Sequence, residues 1–217
     1  MLVAIDGPAG SGKSTIARMV AENLGFTYVN SGNIYRAMTL NTLRAGVDPT
    51  DSVAVIALAR EARIEYVEGR LRLDGADVES QLHGAKVDAL VAQLSAIPEL
   101  RSIVNEHVRR IAGSTDAVVE GRDMTTVVFP GAEAKFFLDA SAETRAKRRF
   151  DQGVSGASIE EIRENIAMRD EIDRAKSVGA LKIAPDAFYL DSSYLTLQEV
   201  YEKVYGKILY LREDHGW

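Results

Sequence analysis

Leu2-Val-Ala-Ile-Asp-Gly7-Pro8-Ala9-Gly10-Ser11-Gly12-Lys13-Ser14-Thr15 joins a short apolar run to a glycine-rich turn and then to a helix-forming stretch. Gly7, Gly12, Lys13 and Ser14 satisfy G-x-x-x-x-G-K-[ST], and each position has a mechanical reason. Glycines let successive backbone N–H groups curl round an anion, the Lys13 ammonium reaches its outer oxygens, and the Ser14 hydroxyl is a ligand for Mg2+. Beyond the turn, Ile16, Ala17, Met19, Val20 and Leu24 recur at helical spacing, so the phosphates would also meet the positive end of a helix. Strand, loop and helix together read as a phosphate-binding loop that opens a parallel α/β fold.

Outward from the loop, the first helix ends at Gly25 and Phe26–Val29 reads as a second strand. Asn30 and Ser31 follow it, and a helix runs from Ser31 to about Arg44. The Asp48–Asp51 turn caps another helix through Arg60. Parallel sheets bind ligands at the carboxyl ends of their strands, so Ser31, Tyr35 and Arg36 are candidates for a second ligand. From Arg63 the pattern changes: Ile64, Tyr66, Leu71 and Leu73 alternate with polar residues about Glu68-Gly69, which predicts an antiparallel hairpin. Val87–Ile97 and Leu100–Ile111 then carry helical periodicity on either side of Pro98. Hairpin and helices form an α+β insertion in the parallel core.

Ala117-Val-Val-Glu120 is apolar enough for a buried strand, and it delivers Gly121-Arg122-Asp123 at its end. Ala134–Leu138 is the next strand, followed by a helix with a dense positive patch, Arg145, Lys147, Arg148 and Arg149. Gly153 and Gly156 interrupt the chain before a helix over Ser158–Lys176, so the pair reads as a helical hairpin with a glycine joint, able to open and shut. Ala187–Leu190 is the last core strand, and Thr196 caps a terminal helix with Val200, Val204, Ile208 and Leu211 on its buried face.

Composition narrows the classes. With 217 residues, 46% hydrophobic and 27% charged, the chain is an ordinary globular one with room for a single α/β domain. No apolar stretch approaches the ~20 residues that span a bilayer, and the cytoplasm is the expected location. The absence of cysteine removes disulfides and thiolate chemistry, and His83, His107 and His215 lack metal-ligand spacing. A net charge of −6 offers no global attraction to nucleic acid. An anion cradle, a second pocket rimmed by Arg36, Arg109 and Arg122, and an arginine-rich hairpin describe phosphoryl transfer between two phosphorylated ligands, where positioning and charge neutralisation do most of the catalysis.

Several stretches resemble the bacterial cytidylate kinases along nearly the whole chain: Ile5–Ser14, Ser31-Gly-Asn-Ile-Tyr-Arg36, Leu73–Val78, Ile97-Pro-Glu-Leu-Arg101, Glu120-Gly-Arg-Asp-Met-Thr-Thr-Val-Val-Phe-Pro130, Phe137–Ser141, Arg145–Arg149, Arg169–Asp173 and Pro185–Ala187. The Gly-Arg-Asp…Thr-Val-Val-Phe-Pro stretch is far more specific than the loop. The resemblance implies a P-loop NTPase-type parallel sheet flanked by helices, a monophosphate-binding insertion at 62–112 and a helical lid at 150–170. The core would comprise 1–61, 113–149 and 171–217. It also implies ATP and Mg2+ as cofactors, CMP and dCMP as substrates, and a monomer acting on small molecules without nucleic acid or membrane partners.

By the same resemblance, Ser31, Arg36, Arg109, Arg122, Asp123, Arg169 and Asp173 hold the monophosphate, and Arg149 belongs to the lid-side cluster. Tyr35 and Lys176 complete the expected acceptor site, and Lys13, Arg122, Arg149 and Arg169 the catalytic set. The chain departs from the pattern at Ala92, where the family commonly has serine, at Lys176 and Ile172, where arginine is frequent, and at Thr125, where glycine is usual. These departures bear on base selectivity more than on transfer. The alternatives are a kinase for UMP or AMP and a P-loop nucleotide sensor without transfer.

Overall fold

The computed structural model describes residues 1–67, 69–113, 115–153 and 158–214. Glu68, Gly156 and His215, read above as a turn residue, half of a glycine joint and a histidine without metal-ligand spacing, lie outside them. In chain order the elements begin β1 (Leu2–Asp6), α1 (Lys13–Leu24), β2 (Thr27–Asn30), α2 (Ser31–Arg44), α3 (Ser52–Glu61), β3 (Ile64–Val67), β4 (Arg70–Leu73) and β5 (Ala76–Asp77). They continue α4 (Ala85–Leu94), α5 (Pro98–Ala112), β6 (Ala117–Gly121), β7 (Ala134–Asp139), α6 (Ala142–Asp151), α7 (Ile159–Ala175), β8 (Phe188–Asp191) and α8 (Leu197–Asp214). The chain forms two compact units, Met1–Tyr28 with Thr115–Trp217, and Val29–Ser114.

The first unit is built on a five-stranded sheet in the order β2-β6-β1-β7-β8. β1 pairs in parallel with β6 and β7, and β7 with β8. Alternate residues Val3 and Ile5 of β1 and Phe136 and Leu138 of β7 join Ile16, Ala17 and Val20 of α1 and Val200, Val204 and Ile208 of α8 in one core. That is the pairing of a two-residue period with a helical one that the apolar pattern calls for. Register sets Asp6 opposite Gly121, so the loop after β1 and Arg122-Asp123 after β6 leave the sheet at the same edge. α6 and α7 share a small apolar cluster of Ala146, Ile162 and Ile166. A capping box between Ser158 and Glu161 starts α7.

In the second unit, Asn30 Oδ1 accepts from the Asn33 amide to cap α2, and Asp51 caps α3 by accepting from the Ala54 amide. β3, β4 and β5 form a small antiparallel sheet. The two-residue Asp74-Gly75 turn between β4 and β5 has positive φ at both positions, 51° and 81°, the geometry that suits the right-handed twist of a hairpin. The short β5 is absent from the sequence reading. α2 packs against α4 and α5, and α3 against α5. These helices group with the hairpin in the unit that begins at Val29.

Candidate active site

At the exit of β1 the backbone turns so tightly that a Cβ on Gly7 would lie 2.1 Å from the Leu138 carbonyl oxygen. No side chain fits there. Gly12 stands at the head of α1, and no side chain caps that helix. Its leading amides are thus available to an anion, which is the feature a phosphate needs. Ser14 and Thr15 are exposed in the first turn, whereas Lys13 is 7% exposed. Lys13 Nζ donates to the Pro8 carbonyl at 3.4 Å and lies 3.8 Å from Glu120 Oε2. Burial pushes the ammonium down to about pKa 7, Arg122 and Arg169 push the same way, and Glu120 and Asp173 oppose them. Lys13, Glu120, Arg122, Arg169 and Asp173 are therefore gathered within electrostatic reach of one another.

Arg122 Nε donates to Asp173 Oδ2 at 2.8 Å, and Lys176 Nζ donates to Asp173 Oδ1 at 2.7 Å. Burial works to raise the Asp173 pKa, but Arg122 and Lys176 outweigh it and hold the carboxyl well below the usual range. Glu120, which the sequence presents only as the end of a strand, also accepts from the Tyr28 hydroxyl at 3.2 Å. Asp123 is buried at the start of a wide turn over Met124–Val128, in which the Val128 and Phe129 amides donate to carbonyls five residues back. Asp6 is fully buried and accepts from the amides of Met124 and Thr125 and from the Thr125 hydroxyl.

The positive patch of α6 divides. Arg145 makes two bonds to the Asp170 carboxylate, at 3.1 and 2.6 Å, and donates to the carbonyls of Ala140 and Ala9 at 2.9 and 3.1 Å. Arg148 donates to the Ser11 carbonyl at 3.3 Å and to Ser192 at its hydroxyl and carbonyl. Both guanidinium groups fasten the phosphate-binding loop from behind and are committed without any ligand. Arg149 and Arg169 are half-buried on α6 and α7.

In the second unit Ser31, Tyr35 and Arg36 are buried on α2. Arg36 Nη1 donates to the Leu82 carbonyl at 3.0 Å and to Asp88 Oδ1 at 2.6 Å. Arg109 is exposed on α5. One residue the sequence reading quotes but does not single out is Arg101, 3% exposed on the same helix, whose guanidinium stacks 5.5 Å from the Tyr35 ring centre and donates to the Ser95 carbonyl. Its signal was available: it falls on the buried i, i+3, i+7 face of α5 with Val104 and Val108.

A glycine loop at the exit of the central strand, a buried lysine opening the next helix and two arginines in reach of that lysine define the P-loop phosphotransferase class. Shikimate kinase from Bacteroides thetaiotaomicron shares this fold, with a TM-score of 0.51 at 12% identity over 98% of each chain. The model of the cytidylate kinase family matches residues 3–209. A cytidylate kinase of Caldanaerobacter subterraneus subsp. tengcongensis is 41% identical over 95% of this chain and 93% of its own length. One from Mycolicibacterium paratuberculosis is 42% identical over 92% and 91%. The chain belongs to the cytidylate kinase family.

Proposed function

We propose that this chain transfers the γ-phosphoryl group of ATP to CMP and dCMP, giving CDP and dCDP. The observation that carries the reading is the convergence of Lys13, Arg122 and Arg169 about a helix N-terminus with no side-chain cap. Three cations there neutralise charge on a phosphoryl group in transit, and a nucleotide sensor has no use for such an arrangement. The backbone of Gly7 through Thr15 holds the donor phosphates, and Lys13 attracts their outer oxygens. Mg2+, when bound, would neutralise charge on the outer phosphates, and the Ser14 hydroxyl is the side chain suited to hold it.

Ser31, Tyr35, Arg36, Arg109, Arg122, Asp123, Arg169, Asp173 and Lys176 are assigned to the monophosphate. Arginine suits a phosphate because its planar fork donates two bonds at once. Asp173 accepts from Arg122 and Lys176 and keeps lone pairs for a ribose hydroxyl, since a carboxylate has about four acceptor sites. Asp123 accepts from the exocyclic amine of cytosine, where uracil would bring a carbonyl oxygen against it. Arg149, on α6, is assigned to the lid-side cluster. Within the second unit, Arg101 on Tyr35 adds a buried cation to the acceptor side. The enzyme acts as a cytoplasmic monomer on small molecules; among the described residues no helix is long and apolar enough to cross a membrane.

A coupled assay of ADP formation over a panel of monophosphates tests the reading. Turnover that depends on CMP or dCMP and exceeds that with UMP or AMP is expected. A higher kcat/KM with UMP or AMP would assign another acceptor, and no acceptor-dependent ADP at all would leave a sensor.

A further inference from the structure

We propose that Asp6 and Thr125 are positioning residues for acceptor-base recognition: together they pin the turn that carries Asp123, and so set how well cytosine is told from uracil. The proposal rests on the assignment of Asp123 to the base. Asp6 is the last residue of β1, immediately before Gly7, yet its side-chain bonds go to the turn after β6 and not to the phosphate-binding loop. Its Oδ1 accepts from the Met124 amide at 2.9 Å, and its Oδ2 accepts from the Thr125 amide at 2.8 Å and the Thr125 hydroxyl at 2.6 Å. A carboxylate with no exposure is costly unless its lone pairs are filled, so three donors in one place tie the two strand exits together firmly.

What they tie is the start of the wide turn. The Asp123 carbonyl accepts from Val127 and Val128, and the Met124 carbonyl from Phe129, so the backbone from Asp123 onward moves as one piece. Met124 and Thr125, the two residues after Asp123, are those Asp6 grips. Asp123 also acts on Asp6 electrically: its charge opposes ionisation of Asp6, whose pKa burial already pushes up to about 6. The carboxylate of Asp123 is the one that faces cytosine's amine, where uracil would bring lone pairs. The resemblance puts glycine at position 125, and a glycine there would lack the hydroxyl bond.

Steady-state kcat/KM for CMP and UMP, with KM for ATP, decides the matter in Thr125→Val, Thr125→Ser, Asp6→Asn and Asp123→Asn. Loss of the hydroxyl in Thr125→Val is expected to narrow the CMP-to-UMP ratio about three- to tenfold, chiefly through KM for CMP, with KM for ATP within about twofold of wild type. Thr125→Ser restores the hydroxyl and the ratio. Asp6→Asn turns an amide N–H toward backbone donors and narrows the ratio further; if it fails to fold, Thr125→Val decides alone. A wild-type ratio in Thr125→Val and in folded Asp6→Asn, beside a collapsed ratio in Asp123→Asn, would overturn the positioning role and leave the base assignment standing. An unchanged ratio in Asp123→Asn would remove the base assignment and the proposal with it. Equal rises in KM for ATP and CMP would mark Thr125 as a general scaffold residue and overturn the proposal.

Discussion

Asp173 holds Arg122 and Lys176 at once, one on each carboxylate oxygen, at 2.8 and 2.7 Å. Its side chain is 7% exposed, so the three charges form a buried unit between the exit of β6 and the end of α7. Removing the shared anion is expected to be worse than removing either cation. Asp173→Ala strands two partly buried positive groups and should cost on the order of 2 kcal/mol in denaturant unfolding. The depressed pKa fixes the pH window: the contribution is present above the ordinary carboxylate value of 3.8 and fades as pH falls below it. The wild type should therefore lose more stability than Asp173→Ala on acidification from pH 5 to pH 3, a comparison two denaturation series make.

Lys13 titrates near neutrality because burial and two arginines disfavour its charge. Between about 7 and 10.5 the unfolded chain carries a proton the folded chain lacks, so this residue makes stability rise with pH over that range. ATP brings the countercharge and should pull a proton onto the amine. Calorimetric titration of ATP at about pH 8 in buffers of different ionisation enthalpy is expected to report proton uptake, and Lys13→Ala to abolish it. The same variant should lose at least ~10²-fold in kcat while keeping affinity for CMP.

Much of this was legible in residues 2–15, where strand, loop and helix follow from glycine geometry and periodicity, and in the apolar faces of α1 and α8. The short β5 was not, because two residues carry no period and only the Asp74-Gly75 turn announces them. The wide turn after Asp123 escaped for the same reason. Partners of charged groups were the least accessible. Arg145 and Arg148 read only as members of a dense positive patch, and their acceptors, Asp170, the Ala9 and Ser11 carbonyls and Ser192, are brought to them only by the fold. Asp6 was hidden inside an apolar strand.

Closure of the helical hairpin has a restricted expected range. Arg145 already fixes α6 to the loop and to Asp170 in the second half of α7. When a bisubstrate analogue binds, slowing of amide hydrogen exchange is expected in the first turns of α7, at 159–166, with little change at 142–149. Uniform slowing over both helices, or none in α7, would contradict a lid of this kind.

The resemblance puts a serine hydroxyl where Ala92 stands on α4. Restoring it with Ala92→Ser should widen the preference for CMP over UMP by about two- to tenfold, the worth of one hydrogen bond. Steady-state kinetics with the two acceptors measures it, and an unchanged ratio would mean that position 92 does not touch the base.

The outward bonds of the phosphate-binding loop fix more than its location. Peptide units are flat, so a carbonyl held on one side turns the following N–H to the other. Arg145 grips the Ala9 carbonyl and Arg148 the Ser11 carbonyl, which settles the facing of the Gly10 and Gly12 amides. The flexible glycines thus lose their freedom when the chain folds, and ATP meets a cradle already ordered. Nucleotide affinity is then not weakened by the entropy of arranging it.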